Sequence, residues 1–225
     1  MKLHTDWSYN KDNPHVNLVN GKRFYFFDFG SEDMDIEAIA HALSRIPRFG
    51  GHALSRSYNV AYHSLRVSEL LEKQGASLDV QLWGLLHDAA EHVIGDIPTP
   101  LKNMMKIKTP WSNTSMLSMV EYEDTVLVAV ARRFGLPWPI PKAVHAADWQ
   151  LFQTESNELF DTDVPTIVYP AECIRLAFLK RFCDLIERRN NARNSSGRNQ
   201  GDGDSKRSTS KSDERCSSES DTGVL

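Results

Sequence analysis

Long apolar runs are missing from this sequence. No stretch approaches the roughly 18 apolar residues that a membrane-spanning helix needs, and the first residues, MKLHTDW, lack the apolar core of a signal peptide. A strong charge of one sign is also missing, because 26 lysines and arginines stand against 30 aspartates and glutamates, for a formal net charge of −4. We therefore expect a cytoplasmic protein whose partners include neither a membrane nor nucleic acid.

Several catalytic signatures are absent as well. The sequence contains no GxxxxGK[ST] phosphate loop and no GxSxG elbow, which argues against nucleotide-driven motors and serine hydrolases. Its three cysteines show no CxxC spacing, so no zinc knuckle is predicted. The composition, with 40% hydrophobic and 25% charged residues, is typical of one soluble globular domain.

Hydrophobic periodicity predicts a mainly helical chain. Asn20-Gly21 lies between two β-prone runs and predicts a small β-hairpin within residues 15–30. Helices are expected over about 31–44, 57–74, 78–93 and 115–134, in a segment that begins at 142, and over 171–189, with a mobile connection at 103–113. The chain thus divides into an N-terminal segment (1–30), a helical domain (31–190) and a polar tail (191–225) that we predict to be disordered.

One apolar helical stretch ends in a segment of ten residues that carries four polar side chains, namely His87, Asp88, Glu91 and Asp96. An imidazole nitrogen beside a carboxylate oxygen suits Mn, Fe, Co, Zn or Mg better than copper or an iron–sulfur cluster. Glu91 lies one turn beyond the His-Asp pair on the same helical face, where a general acid or base would lie. Because a bare His-Asp pair is also compatible with a hydrogen-bonded core histidine and solvated acids, the pair needs partners elsewhere.

Two such partners are available. His63 lies in the predicted helix before the pair, and the short Gly75-Ala76-Ser77 connection predicts an antiparallel helical hairpin that brings them together. Asp148 is the only acid in a segment of apolar and small residues until Glu155. A buried carboxylate without a partner would cost several kcal/mol, so we expect Asp148 to be paired or bound to metal.

Two further segments offer groups for an anionic ligand. The loop Arg48-Phe49-Gly50-Gly51-His52 can hold a phosphate on Arg48 and a sugar or base against Phe49, although such a loop is also an ordinary glycine-rich connection. Lys102 follows the Asp96 loop and is either a phosphate contact or a solvated lysine.

The set of His63, the His87-Asp88 pair and Asp148 resembles the HD-domain metal-dependent phosphohydrolases, whose signature is a histidine, a His-Asp pair and a later aspartate on a helical bundle. The resemblance covers roughly residues 31–190. It implies an all-α HD-domain bundle, preceded here by the small hairpin, with one divalent ion (Mn, Co, Zn, Fe or Mg) held by those four residues.

One branch of that family is more similar than the others. The bacterial 5'-deoxynucleotidases and related phage HD hydrolases share Arg48 fifteen residues before the histidine, Glu91 after the pair, and Gly-Asp-Ile-Pro at 95–98. The resemblance implies that Glu91 orients or deprotonates water with support from Asp96, and that Arg48 holds the phosphate. Phe49 stands where relatives carry a tryptophan against the sugar, a departure that weakens the inferred preference for deoxyribose.

The resemblance implies a small-molecule nucleotide substrate, and we expect cleavage of a 5'-deoxynucleoside monophosphate to deoxynucleoside and phosphate. Release of triphosphate from a deoxynucleoside triphosphate is the alternative. The carboxylates near Glu91 and Asp96 leave few cations for a triphosphate beyond Arg48, Lys102 and either Arg56 or Lys106. A non-catalytic HD module that binds metal or nucleotide is the alternative of another class. Other HD branches hydrolyse an alarmone or a cyclic dinucleotide, but this sequence contains none of their additional motifs. The sequence is also compatible with a homo-oligomer.

Overall fold

Helices make up most of the described part of the chain. The computed structural model describes residues 13–53, 58–111, 114–160 and 169–198. The elements are β1 (His15–Asn17), β2 (Arg23–Tyr25), α1 (Ile36–Leu43), α2 (Val60–Lys73), α3 (Leu78–Leu86), α4 (Glu91–Ile94), α5 (Thr99–Lys102), β3 (Lys106–Lys108), β4 (Met116–Ser118), α6 (Met119–Phe134), α7 (Lys142–Phe160) and α8 (Ala171–Arg198). This arrangement confirms the predicted helical bundle with an N-terminal hairpin. Among the described residues, no helix is both long and apolar enough to cross a membrane.

The N-terminal hairpin forms where the sequence predicts it. β1 and β2 are antiparallel, with Val16 opposite Phe24, and Gly21 takes the positive φ of 81° that the connecting turn requires. Phe24 is fully buried and its ring lies edge-on to His92, 5.8 Å between centroids. The hairpin thus covers one side of the helical core.

The first helix begins later than predicted. Ser31 starts only a single 3-10 turn, and the N-cap of α1 is Asp35, whose carboxylate accepts hydrogen bonds from the backbone N–H groups of Glu37 and Ala38 at 2.9 and 3.1 Å. A carboxylate that accepts two backbone N–H groups is a strong helix start, which explains why Asp35 rather than Ser31 sets the boundary.

Helices α2 and α3 form the antiparallel pair predicted from the short connection at 75–77, and α7 and α8 pack against both. Gly84 allows the close approach of α2 and α3. A Cβ atom at this position would lie 2.5 Å from Leu71 Cδ1 and 3.2 Å from the backbone Cα of Ser68. Trp83, on the same helix, is fully buried and donates its indole N–H to the Pro137 carbonyl at 2.7 Å.

The helix predicted over 78–93 is interrupted. α3 ends at Leu86, His87 is its C-cap, and α4 begins only at Glu91. Gly95 closes α4 with a φ of 79°, which places Asp96 in a loop as the sequence predicts. The His87-Asp88 pair therefore lies in the turn between α3 and α4 rather than inside a helix.

Two other predicted boundaries are wrong. Residues 103–113 are not simply a mobile connection, because β3 pairs with β4 in a second antiparallel hairpin, and α6 starts at Met119 with Ser118 as its cap. At the other end, α8 continues through residues 191–198, which we predicted to be disordered. Arg193 of this extension lies 3.7 Å from Asp79 of α3, a contact that composition alone does not reveal. Residues 199–225 lie outside the described residues.

Candidate active site

The fully buried imidazole of His63 lies between two carboxylates of α7. His63 projects from α2, and its Nε2 atom is 2.9 Å from Asp148 Oδ1 while its Nδ1 atom is 2.7 Å from Glu155 Oε1. Asp148 and Glu155 are seven residues apart, which is two helical turns, so they share one face of α7. The predicted partnership of His63 with Asp148 is therefore present in the structure.

His87 is held by its own helix. Its Nδ1 atom lies 2.9 Å from the Gly84 carbonyl oxygen, which can only accept a hydrogen bond, so Nδ1 carries a proton and Nε2 is the nitrogen left to face the carboxylates. That Nε2 atom lies 3.2 Å from Asp88 Oδ2 and 3.7 Å from Asp148 Oδ1. The C-cap position of His87 thus directs its free nitrogen toward both carboxylates.

His63, His87 and Asp88 form a compact set of donor atoms, all within 4.8 Å of one another. The Nε2 atoms of both histidines are buried and have no hydrogen-bond partner, even though Asp148 Oδ1 approaches them. Two imidazole nitrogens and two carboxylates that face one another offer the donor atoms that bind a divalent cation such as Mn, Co, Zn, Fe or Mg. These residues therefore fit the metal that the sequence implies, with Asp148 beside them as the fourth donor.

The electrostatics of the cluster also favour a cation. Burial by itself lowers the pKa of His87, but the Asp88 and Asp148 carboxylates raise it well above its ordinary value. Burial would raise the pKa of Asp88, yet His87, His63 and Arg48 bring it well below its usual range. The cluster attracts positive charge, whether as protons or as a metal ion.

Arg48 brings a guanidinium to the edge of the cluster. Its Nη1 atom is 3.5 Å from Asp88 Oδ2 and its Nε atom is 3.4 Å from Glu155 Oε2. The Arg48 N–H donates to the Tyr58 carbonyl at 3.1 Å, which anchors the loop before α2. The structure thus brings Arg48 together with the predicted metal ligands.

Glu91 and Asp96 approach the cluster from α4 and the loop after it. Burial, with Asp88 and Asp96 as further causes, raises the pKa of Glu91 well above its ordinary value. Its Oε2 atom is buried without a hydrogen-bond partner. Burial also raises the pKa of Asp96, although Arg48 opposes this shift. A carboxylate whose pKa is raised in this way is a stronger base than an ordinary one.

Lys102 lies near these acids and is already paired. Its Nζ atom donates to Glu123 Oε1 of α6 at 2.8 Å, and both side chains are largely buried. Burial lowers the pKa of Lys102, but the hydrogen bond and charge of Glu123, together with the charges of Glu91 and Asp88, outweigh this and raise it.

Phe49 sits beside Arg48 in a strained backbone conformation, with a φ of +55° that non-glycine residues rarely adopt. Its ring stacks on Phe152 at 5.9 Å and meets Phe160 edge-on at 5.4 Å, while the Arg48 guanidinium carbon lies 5.5 Å from its centroid. Contacts with α7 therefore fix the Phe49 ring beside Arg48.

Sequence reasoning assigned no role to Glu155, Tyr58 or Glu123. The Tyr58 hydroxyl donates a hydrogen bond to Glu155, and both residues are buried. A signal for Glu155 was present, because it follows Asp148 by two helical turns in an otherwise apolar face. No comparable pattern marks Tyr58 or Glu123, which depend on how separate elements pack.

Comparisons with known proteins agree with this geometry. The family model described as HD domain matches residues 60–160, the segment that carries His63, His87, Asp88 and Asp148. An uncharacterized protein of Rhodobacter capsulatus is 34% identical over 149 residues, covering 63% of this chain and 71% of that protein. The uncharacterized protein YfdR of Escherichia coli is 31% identical over 192 residues, covering 77% of this chain and 97% of that protein.

Proposed function

The chain belongs to the HD-domain family, and on that premise we propose that it hydrolyses 5'-deoxynucleoside monophosphates to deoxynucleoside and orthophosphate. The family match indicates the coarser activity, a metal-dependent phosphohydrolase. The observation that carries the proposal is the convergence of two unpartnered imidazole Nε2 atoms and two carboxylates beside Arg48.

The residues that would hold the divalent ion are His63, His87, Asp88 and Asp148. When bound, such an ion supplies Lewis-acid chemistry, making water more acidic and offsetting charge on a phosphoryl group. The Nδ1 contacts of the two histidines, to Glu155 and to the Gly84 carbonyl, orient both rings in advance.

Arg48 supports the binding of the phosphate. Its guanidinium offers charge-assisted donors at the cluster edge, and Asp88 and Glu155 hold it there. Since those two carboxylates already lie beside it, Arg48 is held in place before the substrate arrives, which reduces the entropy lost on binding.

Glu91 is the group proposed to move the proton. Hydrolysis forms a bond from water oxygen to phosphorus and breaks the bond from phosphorus to O5'. The attacking water must lose a proton and the leaving O5' must gain one. A carboxylate with a raised pKa is the stronger base, so Glu91 accepts the proton from water and returns it to O5', with Asp96 supporting its charge state.

The balance of charge supports a monophosphate over a triphosphate. Among the described residues, the site region holds the carboxylates of Asp88, Glu91, Asp96, Glu123, Asp148 and Glu155. Of the nearby cations, Lys102 is paired with Glu123 and Arg48 lies between Asp88 and Glu155. A triphosphate carries more negative charge than these two cations can offset, whereas Arg48 and a divalent ion can hold one phosphate group.

Phe49 is not the tryptophan that the resemblance implies, but its ring can still lie against a deoxyribose sugar. Its ring offers apolar surface beside Arg48, and its stacking on Phe152 keeps that surface in place. An apolar surface gives a 2'-hydroxyl no hydrogen-bond partner, so a ribonucleotide would lose hydration there without compensation.

Product analysis tests the proposal. The protein is incubated with ribo- and deoxyribonucleoside mono- and triphosphates, one divalent ion at a time, and orthophosphate and triphosphate are quantified separately. Orthophosphate from deoxynucleoside monophosphates is the expected result. Triphosphate from deoxynucleoside triphosphates would assign the alternative reaction, and no product from any nucleotide would favour a non-catalytic module.

A further inference from the structure

Glu155 is a buried carboxylate that contacts both parts of the site. It is fully buried on α7, with Oε1 2.7 Å from His63 Nδ1 and Oε2 3.4 Å from Arg48 Nε. We propose that Glu155 is a positioning residue that fixes the tautomer of His63 and the direction of the Arg48 guanidinium at the same time. This inference rests on the proposed function, because it concerns how those two residues are prepared for metal and phosphate.

The hydrogen-bond network makes Glu155 an acceptor. Arg66 Nη1 donates to the Tyr58 hydroxyl oxygen at 3.2 Å, and the Tyr58 O–H in turn donates to Glu155 Oε1. Burial, with Glu155 as the next cause, raises the pKa of Tyr58, so the phenol keeps its proton for this bond. Oε1 of Glu155 therefore accepts the hydrogen bond from the Tyr58 hydroxyl and also lies against His63 Nδ1.

The consequence for His63 is a defined tautomer. Because Glu155 Oε1 accepts, Nδ1 of His63 carries the hydrogen, and Nε2 is left with a lone pair on the side of Asp88 and Asp148. The opposite tautomer would place a hydrogen on Nε2, where it would block a metal ion. A carboxylate behind a histidine ligand also increases the basicity of the ligating nitrogen.

A role limited to neutralising Arg48 does not explain these contacts. Asp88 already lies 3.5 Å from Arg48 Nη1, so Arg48 has one carboxylate without Glu155. A residue that only balanced this charge would have no need to place its other oxygen on His63 and Tyr58. The two oxygens of Glu155 instead divide between His63 and Arg48, which links the ring that faces the metal site to the side chain that faces the phosphate.

The test compares Glu155→Ala and Glu155→Gln with the unmodified protein, using Glu172→Gln as the matched control. Glu172 is exposed at the start of α8, and its carboxylate pairs with Arg175 and Arg45 rather than with the Glu155 network. Nitrogen-15 NMR of the metal-free protein reports the His63 tautomer. Titration with Mn²⁺, followed by its electron paramagnetic resonance signal, reports metal affinity, and kinetics on a deoxynucleoside monophosphate separate KM from kcat.

We expect Glu155→Ala to lose the Nδ1–H tautomer and to bind Mn²⁺ about 10- to 100-fold more weakly. Glu155→Gln keeps a carbonyl oxygen for the His63 N–H, so Mn²⁺ affinity should be largely retained while KM rises, because an amide no longer balances Arg48. Glu172→Gln should match the unmodified protein in every readout.

A folded Glu155→Ala protein with an unchanged tautomer and unchanged Mn²⁺ affinity would overturn the inference. If that variant cannot be purified, Glu155→Gln decides, since an unchanged KM would contradict the link to Arg48. Failure of the proposed function looks different: the unmodified protein would neither bind Mn²⁺ nor release phosphate, while the tautomer comparison in the metal-free protein would still test Glu155.

Discussion

The imidazole rings of His63 and His87 lie 5.3 Å apart, and the Nε2 atom of each is buried without a hydrogen-bond partner. A divalent ion that binds only the folded state should therefore stabilise it, by about 2.7 kcal/mol at a concentration one hundred times its Kd. Thermal melts with Mn²⁺ and with a chelator measure this difference. His87→Asn should abolish most of the stabilisation, whereas exposed His52→Asn should keep it; an equal melting temperature with and without metal would contradict the assignment.

Replacing Arg48 by lysine keeps the positive charge and removes the planar guanidinium that lies between Asp88 and Glu155. We expect kcat/KM for a deoxynucleoside monophosphate to fall on the order of 10- to 100-fold, mainly through KM, because charge-assisted hydrogen bonds to the phosphate are lost. Arg45→Lys, at an exposed ion pair with Glu172, is the matched control and should leave both constants unchanged. Equal kinetics for the two variants would remove Arg48 from phosphate binding.

Glu91→Gln preserves size and removes the group proposed to move the proton. Since general acid–base catalysis contributes about 10²- to 10⁴-fold, kcat should fall by that amount while Mn²⁺ and nucleotide binding persist. Steady-state kinetics and calorimetric titration check the two halves of this prediction. A Glu91→Gln protein with unreduced kcat would exclude Glu91 as the acid or base.

Gly84→Ala should disturb the contact that brings the two histidine-bearing helices together. The added Cβ would lie 2.5 Å from Leu71 Cδ1 and 3.2 Å from the Ser68 backbone, so α2 and α3 must separate slightly. We expect a loss of about 1–3 kcal/mol in the free energy of unfolding, the usual cost of overpacking. Denaturant titration measures the loss, and a variant as stable as the original protein would show that the helices can separate without penalty.

His92 should make stability depend on pH in the acid range. Burial lowers its pKa from 6.5 to about 4, although its bond to the Ala89 carbonyl opposes the shift. Between pH 6.5 and 4, the His92 imidazole is therefore protonated in the unfolded chain but neutral in the folded chain. The free energy of unfolding consequently decreases as the pH falls through this window, by up to about 3 kcal/mol. Unfolding titrations should show a shallower decline for His92→Gln, and identical pH profiles would contradict the neutral buried state.

Much of the site could be predicted because its chemistry follows helical spacing. His63, the His87-Asp88 pair and Asp148 lie on helices whose order and short connections bring them together, and the structure shows that proximity. Asp96 also lies in the loop where the sequence places it, whereas Glu91 begins a separate helix, α4, instead of continuing α3. Local patterns were sufficient for these residues.

The remainder depends on contacts between distant segments. Tyr58 and Glu155 are 97 positions apart, and Lys102 and Glu123 meet only because α5 packs near α6. The pairing of β3 with β4 likewise depends on two three-residue strands that are too short for a clear alternation of apolar residues. Such features arise from tertiary packing, which a single sequence does not specify by spacing.

The most direct test of the central claim is orthophosphate release from a 5'-deoxynucleoside monophosphate with Mn²⁺, by the unmodified protein and by Asp88→Asn prepared identically. Asp88 lies within the donor cluster, so its amide variant should lose the metal site while keeping nearly the same volume. We expect metal-dependent orthophosphate release by the unmodified protein, and a rate of release that is at least about 10²-fold lower for Asp88→Asn. No release from any deoxynucleoside monophosphate, or equal release by both proteins, would contradict it.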